Sequence, residues 1–443
     1  MDFSAKRMIA AAMVVALSVP VLGQDATGQN LAKQLEASAS PINLTSLVAA
    51  AEAEAADCGP AKCTTSSASC GDSCFSAQNC CTGWLHQFDD CKWIKVGAGI
   101  RTSYNTVEDG AANGTNSHDF NLDNTRIYMS GQGHPYLGFE LNTDINNAQG
   151  FTPDGDMRVL DAVIKMKLTD NINLWAGRFL PPSDRSNLDG PFYLNVYSFP
   201  WTQFGMYNIF QGRDDGAALW GQTGGGQFKW QVGLFEGDNG AATTGDDNLM
   251  FTGRVVMNLL DPEPGYYNAS TYYGEKEILA LGMSLFHQQD VNGTAADPRA
   301  YTAWNLDFLF ETTLENCGVV TVEAAYYDFD DDDAVRDGMP LASQAVDPFG
   351  SSRQGESYFI TMLYLMPDTI CIGNLSGRFQ PHYRYQEYDR SVEMAGSRAS
   401  QWDLGVHYIM DGHNARLTAV YEHLKTIDNN SQGILRLGAQ LQF

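Results

Sequence analysis

The chain has 443 residues and carries 27 Lys and Arg against 53 Asp and Glu, a formal net charge of −26 at pH 7. This acidic balance argues against nucleic acid as a partner, because nucleic-acid binding rests on basic patches. Beyond the extreme N-terminus we find no apolar run long enough to span a bilayer as a helix. The same observation does not exclude a membrane barrel, because barrels distribute their apolar residues over every second position of each strand.

The N-terminus has the features of a secretory signal peptide, which we assign to residues 1–23. Lys6 and Arg7 precede the apolar stretch "MIAAAMVVALSVPVLG", which ends in small residues suited to cleavage before Gln24. A membrane anchor helix is the alternative, but the apolar stretch is short for a bilayer span. The sequence therefore predicts an exported protein.

Two segments of different character follow the signal peptide. Residues 24–57 are rich in Ala, and residues 44–51 place Leu, Val and Ala at helical spacing, which predicts a short amphipathic helix. Residues 58–91 hold most of the nine cysteines without zinc-ribbon spacing, so disulfides are favoured over a metal site, and we predict no metal. The disulfide candidates are Cys58, Cys63, Cys70, Cys74, Cys80, Cys81, Cys91, Cys317 and Cys371.

From residue 92 to residue 443 about sixteen segments alternate apolar and polar residues. In "WIKVGAGIRTSY" Ile94 and Val96 share one face, and Lys95 and Arg101 share the other. The last segment, "GILRLGAQLQF", ends on Phe443. A period of two predicts strands that are apolar on one side, and both a soluble sandwich and a membrane barrel contain such strands.

The connections between these segments distinguish the two folds. Short turns such as "GQGHP", "LTDN" and "MDGHN" alternate with long loops such as "NTVEDGAANGTNSH" and "NNAQGFTPDGD". Outer-membrane barrels sort their connections in this way, with short periplasmic turns and longer external loops. The stretch 261–276 is an exception, because it is long where a short turn is expected, and a concealed strand is one explanation. The same alternation places Cys317 and Cys371 in periplasmic turns.

These observations predict an all-β fold: a transmembrane antiparallel β-barrel of about 16 strands, residues 92–443, with an N-terminal helical and Cys-rich periplasmic extension. A closed barrel leaves no free strand edge and satisfies every backbone polar group inside lipid. We therefore expect the cell outer membrane as the location and outer-membrane lipids as partners.

The barrel region also resembles a known family. The stretches "WAGRFLPP" (175–182), "RDDGAALWGQTGGGQFKWQVGLFEG" (213–237) and "FTGRVVMNLLDPEPG" (251–265) are similar to the phosphate-selective porin O/P family. The resemblance implies a sixteen-stranded outer-membrane porin that assembles as a homotrimer and folds external loops into its lumen. It also implies that barrel-assembly machinery recognises the terminal aromatic residue. It does not cover residues 1–91.

The polar face of each strand supplies the candidate pore-lining residues. Charges along the narrow part of a channel set its ion selectivity, and this set mixes both signs, so its members form either a selectivity ladder or salt bridges that stiffen the wall. The predicted pore-lining residues are Lys95, Arg101, Arg126, Glu140, Asp161, Lys165, Lys167, Arg254, Asp307, Glu323, Arg378, Arg384, Arg416 and Arg436.

The third external loop, residues 181–212, is the candidate constriction loop, since it is long and rich in Phe, Tyr and Trp. Its alternative is a rim or trimer contact. Phosphate-selective members of the family carry runs of Arg and Lys at the constriction, and this loop offers only one basic residue beside two acidic ones. The candidate residues are Asp184, Arg185, Asp189, Tyr193 and Tyr197.

The predicted function is a porin for passive diffusion of small hydrophilic solutes and ions, with a preference for anions such as phosphate left open. The alternative is a structural outer-membrane anchor that links the envelope through the Cys-rich module. An enzyme such as a lipase is disfavoured, because we find no Ser–His pair on facing outward positions. The acidic run 330–333 lacks the ligand spacing of a calcium loop, and we predict no cofactor.

Overall fold

A computed structural model describes residues 84–89, 92–145, 157–200, 212–237, 247–294, 296–330, 355–389, 398–426 and 430–443. The chain divides into two units, Met1–Cys63 and Thr64–Phe443. The predicted signal peptide, the Ala-rich segment and the seven clustered cysteines all lie outside the described residues, so the helical and Cys-rich extension remains a prediction.

The described residues form eighteen strands and one short helix, α1 (Arg185–Asp189). The strands are β1 (Trp84–Asp89), β2 (Lys92–Val107), β3 (Ser117–His134), β4 (Leu137–Ile145), β5 (Met157–Lys167), β6 (Ile172–Phe179), β7 (Asp214–Thr223), β8 (Phe228–Phe235), β9 (Met250–Asn258), β10 (Ile278–Thr294), β11 (Asp297–Thr313), β12 (Val319–Asp330), β13 (Gly355–Leu365), β14 (Thr369–Ile372), β15 (Leu375–Asp389), β16 (Arg398–Asp411), β17 (Ala415–Lys425) and β18 (Ser431–Gln442).

Sixteen of these strands close into an antiparallel barrel, as predicted. β2 to β13 pair in sequence, β13 pairs with β15, and β15 to β18 continue round to β2. At the seam, the Phe443 amide donates to the Ala98 carbonyl over 3.0 Å, and the Ala98 amide donates back over 3.1 Å. The wall therefore has no free edge along its closing strand, as a barrel in lipid requires.

Two short strands lie outside the sixteen-strand circuit. β14 pairs with the beginning of β15. β1 forms a hairpin with the beginning of β2, with Trp84 opposite Val96, and so continues the line of β18 beyond Phe443. The sequence analysis did not anticipate β1, which falls within the segment assigned to the cysteines.

The two faces of the wall differ as the alternation predicts. On β10, the apolar side chains of Leu281 and Met283 are exposed. Ser284 follows Met283 on the opposite face of the strand and is buried. Met283 pairs with Val255 on β9 and Leu306 on β11, which are likewise exposed and apolar. This outward apolar band is the surface that meets lipid in an outer-membrane barrel.

No helix in the described ranges is both long and apolar enough to cross a membrane.

The connections follow the predicted alternation with two exceptions, the short β10–β11 connection on the side of the long loops and the long β9–β10 connection on the side of the short turns. Residues 259–277 connect β9 to β10, and all of them are described without a strand among them. The concealed strand considered above is therefore wrong, and the long stretch is a real connection. The other long connection that positions the candidate site joins β6 to β7 and contains α1.

Placing a charge in the outward band tests its contact with lipid. We expect Met283→Arg to lower the free energy of unfolding by about 2–4 kcal/mol, because a cation near the middle of the bilayer loses its hydration. Met283→Leu is the matched control and is expected to change it by less than about 1 kcal/mol. Denaturant titration of the barrel folded into lipid vesicles measures both, and equal effects would contradict a lipid-facing band.

Candidate functional site

The barrel interior is crossed by the first part of the β6–β7 connection, residues 180–200, which we call the crossing loop. It leaves the wall at β6 and contacts the opposite side of the barrel. Its hydrogen-bond partners lie on β11, β12, β15, β16, β17, β18, β2 and β3. These partners occupy the inward positions of their strands, whereas their outward neighbours, such as Leu417 and Tyr383, are exposed.

The helical turn α1 begins this loop and has a local signal for its start and its end. The Asp184 carboxylate accepts from the Asn187 amide over 3.2 Å and so caps the N-terminus, and Gly190 ends the turn with a φ of 70°. The Tyr327 hydroxyl on β12 donates to the same Asp184 carboxylate over 2.9 Å. One carboxylate thus orients the turn and attaches it to the wall.

After α1 the loop is held mainly through its own backbone carbonyls. Arg416 donates to the Leu194 carbonyl over 2.6 Å, and Arg384 donates to the Ser198 carbonyl over 2.6 Å. Further bonds of this kind run from Gln440 to Phe192, from His407 to Asn195, from Arg416 to Val196 and from Arg101 to Tyr197. Side chains of the wall therefore satisfy the carbonyls of a segment that has no strand partner of its own.

The two tyrosines predicted for this loop lie in different environments. The Tyr197 hydroxyl donates to the Asp123 carboxylate over 2.6 Å, and its ring lies 4.3 Å from the Arg101 guanidinium, a cation–π contact. Tyr193 is 42% exposed and packs its ring against His413. Tyr197 thus fixes the loop to the wall, whereas Tyr193 presents a ring to the free space of the barrel.

Arg185, the basic residue predicted for the constriction, is fully buried. It forms a two-pronged pair with Glu263, with nitrogen–oxygen distances of 2.8 and 2.6 Å. Burial alone would raise the pKa of Glu263, but the Arg185 charge outweighs it and holds that pKa at about 2. A guanidinium that is fully buried and bound in this way is not accessible to a passing anion.

Most of the predicted pore-lining residues form ion pairs along the wall. Arg254 binds Asp307 over 2.5 Å, and Glu323 accepts from Asn195 of the crossing loop over 2.6 Å. Four further pairs follow the same pattern: Arg126 with Asp144, Arg213 with Asp161, Arg384 with Asp403, and Arg436 with Glu422. These partners favour the wall-stiffening interpretation for the arginines.

Three lysines of the predicted set differ from the arginines. Lys95 is exposed, Lys167 has a side chain 49% exposed, and Lys165, paired with Glu140, keeps 26% of its side chain exposed. All three lie towards the end of the wall that carries the short turns. Arg378 also lies at this end, where it donates to the Met366 and Cys317 carbonyls.

Exposure of the inward charges therefore changes along the barrel axis. At the level of the crossing loop, Arg101, Arg384 and Arg416 are 4%, 1% and 0% exposed, whereas the lysines below it are in contact with solvent. We call the level of the crossing loop the waist, and the end with the short turns, where the lysines are exposed, the lower mouth. That the fourteen predicted residues line a pore stays a prediction.

Part of the inner wall is apolar, which the sequence analysis missed. Trp175, Phe179 and Trp220 face inwards on β6 and β7 and pack with Leu188 of α1 and with Tyr266. Trp175 stacks on Tyr266 with ring centroids 4.6 Å apart. Strands that are apolar on both faces show no alternation, so a period-two pattern could not distinguish their two sides.

Several residues that hold the crossing loop were not predicted. Glu263, Ser270 and His407 contact it. Glu263 and Ser270 lie in the stretch that the sequence marked as unusual, the long turn that contains "DPEPG", and His407 does not. Of the two cysteines assigned to turns, Cys317 follows β11 with a φ of 60°, and Cys371 lies on β14. The disulfide pairings stay a prediction.

Known proteins resemble this chain in sequence profile and in fold. The profile of the family described as phosphate-selective porin O and P matches residues 94–327. No curated protein sequence matches the chain. OprB of Pseudomonas putida, in its high-pH structure, superposes with a TM-score of 0.52 at 10% identity, covering 79% of this chain and 94% of that one. OmpF of Salmonella typhi, in complex with daunomycin, gives 0.50 at 12% identity, covering 81% and 99%. At these identities the two structures share the fold alone.

The pH dependence of stability tests how α1 is attached. Burial raises the pKa of Asp184 from 3.8 to about 7, so between these values the folded chain keeps a proton that the unfolded chain releases. The free energy of unfolding should therefore fall with rising pH, by about 1.4 kcal/mol per unit. Asp184→Asn has no such proton. The free energy of unfolding of the wild type minus that of the variant should therefore decline from pH 4.5 to 7 and stay level above pH 8. A difference that is constant across this range, in denaturant titrations of the folded barrel, would refute the assignment.

Proposed function

Because the chain belongs to the family of phosphate-selective porins O and P, we propose that it forms a water-filled channel for passive diffusion of small hydrophilic solutes and ions across the outer membrane. The crossing loop is the single observation that carries this proposal. A loop hydrogen-bonded to strands on the far side of a closed barrel narrows the lumen at a defined level. Such a narrowing is how a diffusion channel limits the size of its solutes.

In this proposal the predicted lumen-facing charges act in two ways. The arginines position the crossing loop and pair with wall carboxylates, so they set the width of the waist. The lysines of the lower mouth, Lys95, Lys165 and Lys167, keep solvent contact and outnumber the two carboxylates that pair with them, Glu140 with Lys165 and Asp170 with Lys167. A net positive mouth concentrates anions, so we expect a modest preference for anions such as phosphate.

A dedicated phosphate site on the crossing loop is not part of the proposal. Arg185 is the basic residue in the described part of the loop, and it is fully buried, with its two terminal nitrogens bound to Glu263 and to the Ala269 carbonyl. The preference for anions therefore comes from the field of the mouth and is weak.

The remaining parts of the chain take the roles that the sequence assigns to them. Residues 1–23 direct export, residues 24–57 and 58–91 form a periplasmic extension closed by disulfides, and the barrel assembles as a homotrimer. Barrel-assembly machinery recognises the strand that ends on Phe443. These roles rest on the signal-peptide pattern, the cysteine content and the properties of the family.

Single-channel recording tests the proposed function. The purified full chain, reconstituted in a planar bilayer, should give stable conductance steps in potassium chloride, and liposomes that contain it should swell in small sugars and not in large ones. A folded, membrane-inserted protein that stays electrically silent and does not swell liposomes would overturn the channel proposal. That outcome would favour the structural anchor.

Charge reversal tests the role of the lower mouth. The double variant Lys95→Glu, Lys167→Glu should lower the ratio of anion to cation permeability about three-fold, because it converts a positive mouth into a negative one. Lys425→Glu makes the same chemical change at the opposite end of the barrel, on an outward position of β17, and should leave the ratio unchanged. The reversal potential in a salt gradient gives the ratio, and equal ratios in the three proteins would show that the mouth does not select ions.

A further inference from the structure

A second segment enters the barrel interior, from the end opposite to the crossing loop. It is the connection between β9 and β10, residues 259–277, which we call the β9–β10 insert. Glu263 and Tyr266 are 1% and 2% exposed, and Ser270 and Thr271 have no exposed surface. Connections at this end of a porin are ordinarily short turns, so a long and buried one has another role.

The base of the insert is fixed where it leaves the wall. The Asp261 amide donates to the Glu277 carbonyl over 2.8 Å, and the Glu277 amide donates to the Asp261 carboxylate over 2.9 Å. Lys276 donates to the Pro262 carbonyl over 2.8 Å. These bonds close the neck of the insert and direct the residues between them into the barrel.

The tip of the insert bonds to inward side chains on the strands that flank β9 and β10. On one side Lys229 of β8 donates to Asn268 over 2.7 Å. On the other side the Glu311 carboxylate of β11 accepts from the Thr271 hydroxyl over 2.6 Å and from the Gly274 amide over 2.8 Å. The insert is therefore attached to the inner wall on both sides of the two strands that it connects.

The insert and the crossing loop hold each other. Arg185 of α1 binds the Glu263 carboxylate and the Ala269 carbonyl. The Tyr266 hydroxyl donates to the Leu180 carbonyl over 2.8 Å, where the crossing loop begins. Ser270 binds Asp189 through its hydroxyl. The helical turn is thus bound to the insert at its first and last residues.

The chemistry of the Arg185–Glu263 contact indicates a positioning role. A fully buried ion pair stabilises a fold no better than apolar residues of the same size, because both charges lose their hydration. Its strength is directional, since a planar guanidinium meets a carboxylate with two parallel bonds in one relative orientation. Tyr272 completes this geometry by donating to Glu263 over 2.6 Å.

We propose that the β9–β10 insert is a second constriction element, and that Glu263 and Arg185 are positioning residues that set the size limit of the channel from the periplasmic side. The proposal rests on the proposed diffusion function. The insert closes the β8 to β11 side of the lumen and fixes α1 at the waist, so solutes pass on the opposite side, which β18 and β2 form and where Lys95 is exposed. Releasing the insert would widen this passage.

The test compares variants of the Arg185–Glu263 pair in single-channel recordings and in liposome swelling. Glu263→Gln keeps the shape of the side chain and removes its charge. We expect a roughly two-fold rise in conductance and entry of larger sugars than the wild type admits, because α1 loses its fixed position. Arg185→Lys keeps the charge but loses the two-pronged geometry, so a smaller rise of both quantities is expected.

The matched control is an equivalent pair outside the lumen. Arg178 and Asp215 form the same two-pronged pair, at 2.6 and 2.7 Å, on outward positions of β6 and β7. Asp215→Asn should leave conductance and size limit unchanged. Circular dichroism and resistance to unfolding in sodium dodecyl sulfate show that each barrel is folded.

The outcomes separate the two proposals. If the wild type conducts and the Glu263→Gln and Arg185→Lys variants match it in conductance and size limit, the insert is not a constriction element and the diffusion function stands. If the wild type is silent, the diffusion function itself fails. If Glu263→Gln does not fold, Arg185→Lys decides, and a folded Arg185→Lys channel with the wild-type size limit overturns the proposal.

Discussion

The interior of this barrel depends on hydrogen bonds from wall side chains to the backbone carbonyls of the crossing loop. A loop that crosses a lumen has no neighbouring strand, and each buried carbonyl without a donor costs roughly 1–3 kcal/mol. Arg101, Arg384 and Arg416 supply charged donors at this level, and charge-assisted bonds are about twice as strong as neutral ones. Because the bonds go to the backbone, the path of the loop is fixed by the wall more than by the side chains of residues 192–198.

Inside a chain with a net charge of −26, the inward arginines and lysines lie in different surroundings. The arginines at the waist are occupied by carbonyls and carboxylates and are almost fully buried, so they contribute structure. The lysines are long, flexible and strongly hydrated, and they lie where no loop carbonyl requires them. The two kinds of cation thus divide between positioning and solvent contact, and a count of lumen charges from sequence could not separate them.

Local pattern predicted the wall well and the interior poorly. A period of two in segments such as "WIKVGAGIRTSY" reports directly on the two faces of a strand, so strand number and closure followed from it. The hairpin of β1 was missed because it lies among cysteines and its pairing depends on β2. Glu263 illustrates the harder case: the sequence shows its long turn but not where the turn goes, because that path depends on partners far along the chain, on α1, β8 and β11.

The helical turn α1 shows why the crossing loop needs the β9–β10 insert. A helix of five residues has no stability of its own, because the cost of nucleation exceeds what so few bonds return. Tyr327 of the wall binds Asp184, which caps the turn. The β9–β10 insert binds the Arg185 guanidinium, and Ser270 of the same insert binds Asp189 at the end of the turn. The wall alone would hold one end of the turn and leave the other free to move. A waist of defined width therefore requires a support from the periplasmic side, and the length of the β9–β10 connection follows from that requirement.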